Sequence, residues 1–224
     1  APLRLRYNPG RAIADNGRAL ASMLASLFDA WPSPIEELLL VGFSMGGLVI
    51  RSACHVGKLE GHAWLSRVRR VVYVGTPHRG APLERAGRVL GRVLRAVPDP
   101  YTRLVADIAD LRSAGIQDLG DADLTHEHRA RAPRGFSLLD ARHPVPLLPE
   151  IRHYLVAGAL ASDPNLALWF GDSMVPLSSA RADACTDVAL PPARMRVFPG
   201  RAHLSLPHDP EVYAQVRTWL EEDA

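Results

Sequence analysis

Residues 38–51 read LLLVGFSMGGLVIR and carry one serine, Ser44, with Gly42 and Gly46 two positions to either side, between two apolar runs. The unbroken run Leu38 to Phe43 is the pattern of a central parallel strand, buried on both faces. Gly46 to Val56 reads as the helix that follows it. A serine at such a strand-to-helix junction sits on the strained turn called a nucleophile elbow, which lifts the hydroxyl clear of the sheet. The bland alternative is an ordinary turn residue, and a bare G-x-S-x-G does not separate the two; the strand before and the helix after do. Both flanking glycines are expected to be steric requirements, because side chains there would meet the neighbouring strand and helix.

Nearer the N-terminus, Leu3 to Tyr7 alternates apolar and basic residues before Asn8-Pro9-Gly10, and reads as a short strand with a turn. Ile13, Leu20, Met23, Leu24, Leu27, Phe28 and Trp31 recur at helical spacing, a stripe that should lie against the sheet. Trp31-Pro32-Ser33-Pro34 ends that helix. Val68–Gly75, Tyr154–Leu160 and Met195–Phe198 supply three more strands. Alternating strands and helices imply an α/β fold with a mostly parallel sheet and helices on both faces. The final helix should start at Asp209 as N-cap with Pro210 in its first turn, burying Val212, Val216, Trp219 and Leu220.

Between the third and fourth strands the alternation stops, so residues 1–224 read as one domain carrying an insertion at approximately 80–150. Leu83, Ala86, Leu90, Val93, Leu94 and Val97 fit one helix there. Leu104, Val105, Ile108 and Leu111 fit another ended by Gly115, and Asp118 to Pro149 is polar and proline-broken. The apolar faces suggest a lid over the strand ends and an apolar acyl group in the substrate.

Composition narrows the classes. The 224 residues are 47% hydrophobic and 22% charged, which suits one globular domain with a sizeable core. The net charge of +2 is spread along the chain, and Lys58 is the only lysine, so nucleic acid is not an expected partner. No apolar run is long enough for a transmembrane segment. Two cysteines, Cys54 and Cys185, make no disulfide framework and fit a reducing, cytoplasmic setting.

A serine hydroxyl attacks only when a base takes its proton and a third group orients that base. In α/β sheets such groups arrive on loops at the carboxyl ends of strands. Asp172, in GDSMVP, follows the fourth strand, and His203, in GRAHL, follows the fifth. Among nine histidines, His203 alone lies between the final strand and the final helix, while His208 sits where it would belong to the helix cap. His126-Glu127-His128 is a polar stretch better read as solvent-exposed than as a metal site. His78, in GTPHRG, reads as a structural residue of the pocket floor. The expected apparatus is Ser44, Asp172 and His203, with the Met45 amide in the oxyanion hole, and no cofactor or metal.

These segments together resemble the α/β-hydrolase lipases and esterases similar to the GPI inositol-deacylase-like family in its bacterial form. The resemblance is carried by YNPGRAIADNGRAL, GFSMGGLVIRSA, GTPHRGAPLER, LRSAGIQDL, GDSMVPLSSA and HLSLPHDPEVY. It implies an esterase or lipase that cleaves a small-molecule, lipid-like carboxylic ester, and the same three catalytic residues. Acyl transfer or thioester cleavage would use the same triad. A silent scaffold that binds a lipid or a partner is the alternative of another class. Its basis is that the second oxyanion donor usually comes from a His-Gly loop after an earlier strand, and no such motif precedes Leu3. With five strands countable and Ala1 in first place, the expectation is an N-terminally incomplete hydrolase fold.

Overall fold

The computed structural model describes residues 2–78, 114–121, 123–127, 145–160, 172, 175, 177–180, 182 and 190–222. Its sheet holds four strands among the described residues, β1 (Leu38–Phe43), β2 (Val68–Val74), β3 (Arg152–Ala159) and β4 (Met195–Pro199), in the order β1-β2-β3-β4. Every pairing is parallel, with Val41 opposite Val72, Val72 opposite Tyr154, and Leu155 opposite Met195. All four strands therefore end on the same side. The α-helices among the described residues are α1 (Ile13–Ala30), α2 (Met45–Glu60), α3 (Ala114–Asp121), the short α4 (Leu177–Ala180) and α5 (Pro210–Glu221).

Side chains alternate across β2, and two apolar cores follow from that alternation. Val71 and Tyr73 join Leu155 in packing against Leu48, Val49 and Ala53 of α2 and Ile13, Leu20 and Leu24 of α1. Val72 and Val74 face the other way, with Tyr154, Val156 and Phe198, onto Leu206 and onto Val212 and Trp219 of α5. Full burial of a side chain of this kind is worth roughly 1.5–3 kcal/mol, so α5 is held chiefly by these two residues. Its start is fixed by Asp209, whose carboxylate accepts the Glu211 and Val212 amides at 2.9 and 3.2 Å. Among the described residues no helix is long and apolar enough to cross a membrane.

Three expectations are corrected. Leu3 to Tyr7 is not a strand, since no described segment pairs with it and Leu3 and Leu5 stand exposed; alternation alone does not hold a strand without a ladder partner. Among the described residues the sheet thus counts four strands where five were expected. The α1 stripe meets α2 more than the sheet: Gly17 packs so closely that a Cβ there would lie 2.2 Å from Ser52 Oγ, and Met23 is exposed. Gly115 does not end a helix but stands in the first turn of α3, pressed against the Pro9 carbonyl. Within the expected insertion, Leu124, Val145, Leu147 and Leu148 belong to the main core. The lid reading otherwise rests on residues 79–113 and 128–144, outside the described residues.

Candidate active site

Ser44 stands between the end of β1 and the start of α2 with φ 51° and ψ −125°. This conformation strains a residue with a Cβ by about 1–3 kcal/mol, and such strain collects at functional turns. The Ser44 amide donates to the Val74 carbonyl at 2.8 Å, which pins the turn to the end of β2. Met45 is the first residue of α2, so its amide belongs to the helical turn that has no intrahelical acceptor.

The glycines divide differently from the expectation. A Cβ on Gly42 would lie 2.6 Å from the Gly47 nitrogen, and one on Gly47 would lie 2.1 Å from Thr76 Oγ1. Gly46, the second glycine of the motif, has only Tyr7 Oη near it among the described residues, at 3.8 Å from where its Cβ would be. The elbow is thus closed sterically by Gly42 and Gly47, whereas Gly46 meets the Tyr7 hydroxyl at an ordinary contact distance.

Asp172 and His203 meet directly. His203 Nδ1 lies 2.7 Å from Asp172 Oδ2, and both side chains are almost wholly buried. The other carboxylate oxygen accepts the Val175 amide at 2.8 Å, and the Asp172 carbonyl accepts the His203 amide at 3.0 Å. Two contacts therefore orient the carboxylate and two tie His203 to it. The imidazole packs on the Phe43 ring at 4.9 Å between centroids, next to Ser44. Gly75, at φ 58°, leaves room for it: a Cβ there would sit 3.0 Å from His203 Cε1. Ser44 and His203 thus both border the Val74–Gly75 segment. His203 Nε2 is buried and has no hydrogen-bond partner among the described residues, so the Ser44 hydroxyl does not engage it in this conformation. Catalytic hydrogen bonds commonly close only when substrate is present. His208 is exposed, and His126 pairs at the surface with Asp15 at 3.1 Å.

The sequence model described as the Alpha/beta hydrolase family matches residues 5–216. The chain belongs to the alpha/beta hydrolase family. Among solved structures it is similar to the lipase BlEst2 of Bacillus licheniformis in mature form, at 19% identity and TM-score 0.55, over 96% of this chain and 76% of that one. It is also similar to YbtT, a type II thioesterase from the yersiniabactin pathway, at 16% identity and TM-score 0.50, over 93% of this chain and 73% of the other. No curated protein matches the sequence. At these identities the two structures support the hydrolase fold alone.

Sequence reading missed a buried polar network that this alpha/beta hydrolase builds behind the site. Arg51, two turns along α2 from Ser44, is buried; it donates to the His78 carbonyl at 3.1 Å and to the Val145 carbonyl, and approaches His78 Nδ1 at 3.2 Å. A guanidinium only donates, so His78 Nδ1 must accept and the ring is neutral. Burial, then the Arg51 charge, hold the His78 pKa well below its ordinary value. Tyr73 packs edge-on against His78 and stacks on His153, whose Nε2 faces the Leu148 carbonyl at 2.9 Å and whose Nδ1 lies 3.2 Å from Tyr73 Oη. Arg51 interrupts an otherwise apolar helical run, and that was the available signal. The network fixes residues 76–78 against α2, and so the floor beside the elbow.

Its histidines make stability depend on pH. Burial above all pushes His153 down to about 4. The unfolded chain therefore binds more protons than the folded one between about pH 6.5 and 4, and stability is full above that window and lost as pH falls through it. His153 alone accounts for a loss on the order of 3 kcal/mol, with His78 adding to it. Urea melts at pH 7 and pH 4.5 should show this drop, and equal midpoints would contradict neutral burial of both rings.

Proposed function

We propose that this protein is a serine hydrolase of carboxylic esters. One observation carries the reading: a buried Asp172–His203 pair presents an unpartnered Nε2 beside the strained Ser44 turn. In this mechanism Ser44 Oγ attacks the ester carbonyl while His203 Nε2 takes its proton. Asp172 orients the imidazole and balances the charge that it gains. The Met45 amide donates to the oxyanion, where rigid donors contribute most of the rate. His203 then protonates the departing alcohol, and water releases the acyl group from Ser44 by the same steps. The finer resemblance, to GPI inositol-deacylase-like lipases, extends the reading to a lipid-like acyl chain. It is supported by the apolar periodicity of Leu83 to Val97 and of Leu104 to Leu111.

An active-site-directed fluorophosphonate tests this directly. The wild type should be labelled and Ser44→Ala should not. With nitrophenyl esters from acetate to laurate, His203→Ala should lose turnover while His208→Ala keeps it. Labelling that persists in Ser44→Ala, or a wild type that takes up no probe, would overturn the assignment.

A further inference from the structure

We propose that the Tyr7 phenol supplies a second hydrogen bond to the tetrahedral oxyanion, alongside the Met45 amide. This inference rests on the ester-hydrolase reading above. The Tyr7 hydroxyl lies against the first turn of α2, 3.8 Å from the position a Gly46 side chain would take, and among the described residues it is the one group outside the local chain within 4 Å of that position. Gly46 follows Met45 directly, so the phenol reaches the turn that carries the first donor.

Tyr7 is also held in place from its C-terminal side. Asn8 Oδ1 accepts the Gly10 amide at 2.9 Å, and the Asn8 carbonyl accepts Asn16 Nδ2 at 2.9 Å and the Arg11 amide at 3.2 Å. Asn16 lies buried in the first turns of α1, whose Ile13 amide is bonded to Asp118 at 2.8 Å. The phenol is thus mounted on a turn fastened to a helix. A donor that is already in place needs no reorganisation as charge develops.

The chemistry is suitable. Part of the ring is exposed, yet crowding around the hydroxyl desolvates it and pushes its pKa up to about 12. It therefore stays a neutral donor at any working pH, as an oxyanion requires.

The test is Tyr7→Phe in the full chain, which removes one oxygen and keeps the ring. The expected result is a kcat lowered about ten- to hundredfold, with KM changed less than about twofold and an unchanged melting temperature. Binding of a boronic acid, which forms a tetrahedral adduct, should weaken by the same factor as kcat falls. Unchanged kcat and boronate affinity, a change in KM alone, or a loss of activity matched by a loss of folding would each overturn the assignment. Fluorophosphonate labelling of Ser44 in the same preparations separates the two levels. Labelled protein with undiminished Tyr7→Phe turnover removes only the Tyr7 role. An unlabelled wild type removes the hydrolase reading and this inference with it.

Discussion

Replacing Asp172 by asparagine should lower kcat for a short-chain ester about ten-thousandfold while the protein remains folded. Asparagine is nearly isosteric, so the Val175 amide keeps its acceptor and the backbone bond from His203 to residue 172 is unaffected. What changes is the atom facing His203 Nδ1, which lies 2.7 Å from Asp172 Oδ2. An amide that turns its NH2 toward Nδ1 forces the proton onto Nε2, the nitrogen that accepts from Ser44 in the proposed mechanism. The negative charge that stabilises the imidazolium is lost as well. Circular dichroism and a melting curve establish folding, and steady-state kinetics reads the effect. A loss below about tenfold would show that the pair is structural, not catalytic.

Gly47→Ala should destabilise the protein by about 1–3 kcal/mol, the range for overpacking a close contact. That lowers the melting temperature by several degrees in a chain of this size. The added methyl would lie 2.1 Å from Thr76 Oγ1, 2.8 Å from its Cγ2 and 2.9 Å from its Cβ, so rotation about the Thr76 side chain cannot clear it. Gly46→Ala should leave the melting temperature unchanged or raise it, because its one neighbour among the described residues is at an ordinary contact distance and alanine favours a helix by up to about 1 kcal/mol over glycine. The pair forms an internal control: both substitutions add one methyl to the same helical turn. Equal melting temperatures would refute the steric account of the elbow.

The contrast between Gly46 and Gly47 shows where sequence reading stops. The spacing of G-x-S-x-G identified the turn, and the apolar run gave β1 with the bounds Leu38–Phe43. The Asp209-Pro210 pair located the start of α5 because capping is local chemistry written in adjacent residues. Which glycine faces a neighbour depends on Thr76, beyond β2, and that contact has no local signature. For the same reason the α1 stripe announced an apolar face but not that α2 would cover it. Leu3 to Tyr7 failed as a strand because pairing needs a partner that alternation does not supply. The chain order of Ser44, Asp172 and His203 at successive strand ends made the candidate site legible in outline. The Arg51–His78–Tyr73–His153 network and the approach of Tyr7 to α2 are products of tertiary packing.

The all-parallel sheet has a kinetic corollary. Because the strands run in one direction, Ser44, Gly75, Asp172 and His203 follow the tips of four different strands and meet only after most of the chain has been brought together. Parallel pairing of this kind depends on contacts distant in sequence, which form late and slowly. No hairpin or isolated strand–helix unit can hold Ser44, Asp172 and His203, the residues of the proposed mechanism, at once. On the proposed mechanism, reactivity at Ser44 is therefore acquired last, and during synthesis it cannot appear before β4 has left the ribosome.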